Sequence, residues 1–450
     1  MRRSRRRILT VICFIDPSVR FFPYFVAKQS NRLVYLDWMR GLAVVLMLQG
    51  HVLDGWVRPQ ERTGEWFWLS QFLGGFPAPI FLFLVGISLA MVLDRKRARG
   101  ASTAELARNV VRRGGGILLL AYAFRLEQFL VWYPASDWGD VFRVDTLNCI
   151  AVSTVFIGLL SIAFKTRRGN VTAMGLATAA FVFVTPWVYP LRANLPAFLL
   201  SYLNGNGHPW YFSVFPWAAF TLAGITFGYA LLQARARIGE AEFFKGVAVA
   251  GVGAYAVGAA MSLFPIFEYG FFDYSLTSPQ YFLVRLGWVL LILYGAYRWS
   301  TRQAGVGWSP LVMLGQASLP VYWVHIEIVY GRSSHDFAQA LTLWDAAKHL
   351  LWLFPLMIGL AAVRDLLRTW KKPDRKAEPG VPTSELDARQ CAILAFYDRR
   401  VGSPRAALWQ LFPNLDAGEV LKENRLQRFD RRSSGRGLYG DDLRTRFKEF

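Results

Sequence analysis

The chain is poor in charge and poor in cysteine. Charged residues make up 18% of its 450 residues, against about 25% in ordinary soluble domains. Cys13, Cys149 and Cys391 stand far apart, which excludes a disulfide framework and leaves no CxxC or Cys/His spacing for a metal. Walker loops and GxSxG elbows are absent. The triple glycine at 114–116 follows no strand pattern, so it reads as a helix start rather than a dinucleotide-binding turn. No internal repeat or low-complexity tract is found.

What the chain has instead is apolar length. Hydrophobic residues reach 54% and aromatics 16%, and apolar stretches long enough to cross about 30 Å of hydrocarbon recur along it. A soluble enzyme and a disordered protein are both excluded. The fold class expected is all-α, a polytopic bundle of ten spans: 33–53, 76–94, 114–132, 146–164, 171–189, 213–233, 246–264, 282–299, 311–330 and 342–363. The connecting segments alternate in basic content. Those at 95–113, 165–170, 234–245, 298–310 and 364–376 hold 21 Lys/Arg, and the five between them hold 5. Since Lys and Arg mark cytoplasmic loops, both termini are expected in the cytoplasm. A net charge of +20 is then a topology signal rather than a sign of nucleic-acid binding. Residues 1–31 read as a basic cytoplasmic arm, 32–364 as the membrane domain and 365–450 as a charged cytoplasmic tail.

A charged side chain inside a membrane costs a few kcal/mol unless it faces a cavity or a partner, so such residues are the functional clues. The first span carries Asp37, Arg40, His51 and, at its end, Asp54. At about 100° per residue, His51 lies roughly 20° and Asp54 roughly 40° from Arg40, which puts them on one stripe. His51 stands roughly 16 Å above Arg40 by helix rise. Asp37 and Arg40 read as an ion pair at the cytoplasmic end. His51 reads either as a catalytic or substrate-contacting group, with Asp54 to orient it, or as a structural histidine.

The ninth span, GQASLPVYWVHIEIVYG, puts Ser318, Tyr322 and His325 on one face and Glu327 nearly opposite. His325 is either a substrate contact or a histidine bonded to a neighbouring helix. Arg125 and Glu127 sit in the outer half of the third span, where Arg125 needs a carboxylate such as Asp145 or Glu327. Asp145 and Asn148 open the fourth span on that same side, and His208 and His335 lie in outer loops. His51, Asp54, Arg125, Asp145 and His325 all fall at the outer ends of their spans and suggest a polar pocket open to the outside; Arg40, Arg125, Asp145, Asn148, Tyr322 and His325 are read as the candidate substrate contacts.

These residues sit in blocks with a familiar order. RLVYLDWMRGLAVVLMLQGHVLDGW (32–56), APIFLFLVGISLAMVL (78–93), RVDTLNCIAVS (143–153), FPWAAFTLAGITFG (215–228) and GQASLPVYWVHIEIVYG (315–331) resemble the heparan-α-glucosaminide N-acetyltransferase-like family of bacterial membrane proteins. The wider group of membrane acyltransferases shares an Arg-Gly…Gly-His first span, matched by Arg40-Gly41…Gly50-His51. The resemblance implies a multi-pass protein of the bacterial inner membrane. It further implies transfer of an acetyl group from acetyl-CoA, a co-substrate rather than a bound cofactor, to a sugar amine or hydroxyl of an envelope carbohydrate or glycolipid. Arg112 and Arg113, beside other basic residues of the 95–113 loop, would meet the phosphates of coenzyme A, or would serve only as topology anchors.

The family's lysosomal member is thought to use a histidine in the first non-cytoplasmic loop, and 54–75 contains none. Either His51 takes that role, as in the wider group, or the activity differs. Direct transfer and a covalent acyl-histidine are both open chemically. Two other readings stand beside the enzyme: a transporter or flippase that uses the polar stripe as a pathway, and a non-enzymatic component of envelope assembly.

Overall fold

The computed structural model describes residues 33–188, 195–205, 212–263, 278–302 and 309–370. The expected N-terminal arm, the expected cytoplasmic tail beyond 370 and His208 fall outside the described residues. Among those described, every regular element is helical: α1 (Val34–Trp56), α2 (Glu65–Gly74), α3 (Pro77–Ala98), α4 (Thr103–Trp132), α5 (Trp138–Val141), α6 (Thr146–Ala163), α7 (Arg167–Val188), α8 (Ala197–Asn204), α9 (Val214–Arg237), α10 (Glu240–Met261), α11 (Pro279–Arg302), α12 (Pro310–Gln316), α13 (Ser318–Tyr330) and α14 (Leu343–Trp370). A compact unit runs through Asp365.

Among the described residues seven helical segments are long and apolar enough to cross a membrane, and an eighth if α12 and α13 count as one span. The protein is thus a multi-pass membrane protein. α1 and α6 fall outside that set. The first has the length, 23 residues, but carries the polar stripe; the second is short. Both can do without an apolar exterior, because neighbouring helices surround much of them: Met39, Ala43, Val44, Leu48 and Val52 of α1 and Cys149, Ala151 and Ile157 of α6 are buried.

The ninth expected span is not one helix. α12 and α13 meet at Ala317 with a bend of 88°, so 311–330 does not cross as a single rod. Pro320 gives the reason. It has no N–H to donate and is tolerated only in a helix's first turn, which is its position in α13. The expected outer loop 54–75 also contains structure that the sequence reading missed. α2 lies there, with Trp66 and Trp68 exposed and Phe67 and Ser70 buried.

Local chemistry sets the helix ends. Ser102 caps α4 by accepting the Glu105 N–H at 3.2 Å. Asp145 and Asn148 form a reciprocal capping box on α6. Arg167 at the start of α7 holds Asp94 near the end of α3 through two bonds of 2.7 and 2.8 Å. In the loop after α1, Glu61 accepts the Leu343 N–H at 2.7 Å and pairs with Arg58. These bonds hold its carboxyl below the usual carboxylate range and tie that loop to the start of α14.

Two crossings are close enough to need glycine. A Cβ on Gly41 of α1 would collide with the backbone of Leu311 in α12, and one on Gly315 of α12 would collide with the Asp37 carbonyl. The two helices therefore touch backbone to backbone just beside the polar stripe. Gly50 meets Gly74 in the same way, so what approaches closely there is the end of α2.

Candidate functional site

A cavity of about 910 Å³ runs along α1. Arg40, Met47, His51 and Asp54 line it, at spacings of seven, four and three residues, which is one face of a helix. The stripe expected from the sequence is thus the wall of a cavity. Arg113, Ser88 and Ser318 join Arg40 in that wall, and Trp132, Asp140, Arg143 and Asp145 join it from the α4–α6 connection.

At one end, Arg40 donates to Asp37 at 2.8 Å, and the second Asp37 oxygen accepts from Gln316 at 3.3 Å. Asp37 itself is buried. The expected ion pair is therefore present, and it is joined to the end of α12. Arg113 lies near enough to Arg40 to feel its charge. Two guanidinium groups thus border the same end of the cavity. Arg112 is exposed and is not part of the wall.

At the other end, Arg125 pairs with Asp145 through Nε and Oδ2 at 3.3 Å and donates from its η nitrogen to Gln128 at 2.8 Å. Of the two expected partners, Asp145 is the one it meets. Asn148 is fully buried, completes the capping box and donates to Tyr202 at 2.8 Å; it braces Asp145 from behind and does not line the cavity. Tyr322 does line it. Glu127 meets Glu327 across α4 and α13.

The centre of the site is a pair of imidazoles. His51 Nδ1 lies 2.9 Å from His325 Nε2, joining helices 274 residues apart in sequence. The ring centroids are 5.1 Å apart and the planes differ by 5°. With the two nitrogens that close and the centroids that far, the rings lie edge to edge in nearly one plane, the orientation of an in-plane hydrogen bond. His325 is fully buried and its Nδ1 is 2.8 Å from the Val321 carbonyl. His51 borders the cavity; His325 stands behind it.

Asp54 is not the orienting group at His51. It lines the cavity and faces Arg62 at 3.8 Å, three residues past His51, where the chain leaves α1. The partner at His51 Nδ1 is His325. Helix periodicity gives the face of each histidine but not which faces meet, so this pairing had no signal in a single sequence. His335 packs its ring against that of Trp132, a lining residue, at 5.6 Å. Among the described residues no group of three or more His, Cys, Asp or Glu is placed to hold a metal.

Residues 32–257 match the family model described as heparan-alpha-glucosaminide N-acetyltransferase, catalytic. The match takes in α1 to α9 and most of α10, and so His51, Arg113 and Asp145, and it ends before α13. No curated protein matches the chain.

Proposed function

The chain belongs to the heparan-alpha-glucosaminide N-acetyltransferase family, and on that premise we propose that it carries acetyl groups across a cell membrane to an envelope carbohydrate or glycolipid. The family comprises membrane acetyltransferases with acetyl-CoA as donor. The observation that carries the reading is the cavity, which continues from the paired arginines Arg40 and Arg113 past His51 to Trp132 and Arg143. Its basic end suits the phosphates of the donor. Its far end, with an aromatic face and carboxylates, suits a sugar.

In this reading the thioester C–S bond of acetyl-CoA breaks and a C–N or C–O bond forms to the acceptor. His51 Nε2 takes the proton from the attacking amine or hydroxyl, and the thiolate of coenzyme A receives it back. A covalent acyl-histidine on the same nitrogen is the other route. The test is incubation of the purified full chain with labelled acetyl-CoA and either glucosamine or a glycan extract of the host envelope. Labelled glycan is expected. Arg113→Gln should raise the KM for acetyl-CoA and leave kcat nearly unchanged, because it removes binding rather than chemistry. Absence of transfer to every acceptor, in protein that is folded, would favour the transporter reading.

The proposal includes an orientation: ten crossings, the α12–α13 pair counted as one, with both termini in the cytoplasm. In a chain whose three native cysteines are replaced by serine, cysteines at Thr63 and Arg99 probe the two sides; both positions are exposed. An impermeant thiol reagent on intact cells should label position 63 and reach position 99 only after permeabilisation. The reverse pattern would overturn the orientation and the direction of transfer with it.

A further inference from the structure

We propose that His325 is a positioning residue that fixes the tautomer of His51, so that His51 presents an unprotonated Nε2 to the reacting groups. This rests on the reading of His51 as the acyl-transfer base or carrier. It adds a residue that lies in α13, beyond the segment matched by the family.

The argument follows the protons. A backbone carbonyl can only accept, so the short contact of His325 Nδ1 with the Val321 oxygen, 2.8 Å, requires the proton on His325 Nδ1. A neutral imidazole carries one N–H, so His325 Nε2 is then an acceptor. His51 Nδ1 lies 2.9 Å from that nitrogen and must be the donor. A neutral His51 with its proton on Nδ1 has a lone pair on Nε2. Two imidazoles and one carbonyl thus form a directed chain: His51 N–H to His325, and His325 N–H to Val321.

Packing holds the chain in place. His325 is fully buried, Tyr322 packs edge-on against its ring at 5.8 Å, and Tyr330 does the same to His51 at 5.8 Å. The Tyr330 hydroxyl also donates to the His51 carbonyl at 3.3 Å. His325 does not line the cavity, so it acts only through His51. The break at Ala317 turns α13 away from α12, which gives the histidine-bearing segment its own direction against α1.

Two variants separate positioning from simple packing. His325→Gln places a side-chain oxygen where Nε2 was and keeps an acceptor for His51. His325→Asn keeps a donor for Val321 but is too short to reach His51. The expected result is a fall in kcat of at least about tenfold for Asn, the ordinary cost of losing a histidine's orienting partner, with KM little changed, and recovery of most of that loss in Gln. Equal activity in the two variants would overturn the proposal.

A second measurement does not need activity. The chain has five histidines, few enough for nitrogen NMR of the full protein labelled with ¹⁵N-histidine, assigned with His51→Asn. The expected spectrum has His51 protonated on Nδ1 and bare on Nε2. A proton on His51 Nε2 in the parent protein would overturn the proposal whatever the kinetics. Failure of acetyl transfer in a parent protein with the expected tautomer would instead overturn the functional reading and leave the tautomer assignment intact.

Discussion

Replacing His51 with alanine is expected to slow acetyl transfer by at least about a hundredfold, the usual scale for loss of a group that moves a proton in the reaction. The comparison that makes this specific is His51→Asn. Alanine leaves the buried His325 Nε2 without a donor, which costs about 1–3 kcal/mol in its own right. Asparagine sets an amide N–H near the former Nδ1 and spares that cost, yet has nothing in place of Nε2. Both variants should insert, since neither puts an ionisable side chain into the span. Both should be inactive. Asp54→Asn should stay within about fivefold of the parent, because Asp54 meets Arg62 in a half-exposed ion pair, and such pairs contribute at most about 1 kcal/mol. The assay is initial-rate transfer from labelled acetyl-CoA, scaled to folded protein by size-exclusion chromatography in detergent. Transfer at parental rate by well-folded His51→Asn would remove His51 from the chemistry and turn attention to His335, which packs on the lining residue Trp132.

The largest expected loss of stability lies at the crossing of α1 and α12. Gly41→Ala and Gly315→Ala each drive a methyl group into a main-chain carbonyl. Ordinary overpacking costs about 1–3 kcal/mol because side chains can rotate aside. Here the obstacle is backbone, so the helices themselves must separate, and the cost should exceed that range. Separation would also disturb Asp37, which Arg40 and Gln316 grip from α1 and α12. The expected outcome is little folded protein after solubilisation and a lower melting temperature for any that survives. Gly253→Ala is the control. It lies inside α10 with open space around its Cβ position, and alanine there should be neutral or stabilise by about 0.5–1 kcal/mol through lost chain entropy. Normal melting of Gly41→Ala would mean that the two helices do not pack as closely as described.

Much of this site was legible because ionisable residues stand out in apolar sequence. Arg40, His51 and Asp54 could be put on one stripe by helix periodicity alone, and the cavity follows that stripe. Arg125 declared its need for a carboxylate, and Asp145 was one of two candidates. The meeting of His51 with His325 was hidden for a physical reason. Two helices far apart in sequence can be rotated and ordered in many ways that leave every apolar face buried, and only tertiary packing selects one. Asn148 was read as a substrate contact, but a polar residue at a helix start can equally serve the cap, as it does here. The broken α12–α13 segment did leave a trace: Pro320 sits where a straight ninth span would need an N–H donor, and hydropathy averaging conceals it. α2 left one too, in the run Trp66–Phe72, whose aromatic residues fit a membrane surface better than an open loop.

The length of α4 has a consequence for how a charged donor and an apolar barrier coexist. Its 30 residues make a rod of about 45 Å, against a hydrocarbon layer of about 30 Å. In the proposed orientation one helix thus reaches from the aqueous phase, where its first turns carry Arg108 and Arg112, to the level of Arg125. Arg113 stands near that transition and on the cavity wall. On the proposed reading, the nucleotide of the donor can stop there with its phosphates still hydrated. Only the uncharged arm that carries the acetyl group then passes inward toward His51. Dehydrating a phosphate-sized anion costs several kcal/mol even after the protein relaxes around it, and this division of the donor by polarity avoids that step. On that reading what crosses the membrane is the two-carbon acyl group, which carries no charge for the hydrocarbon to exclude.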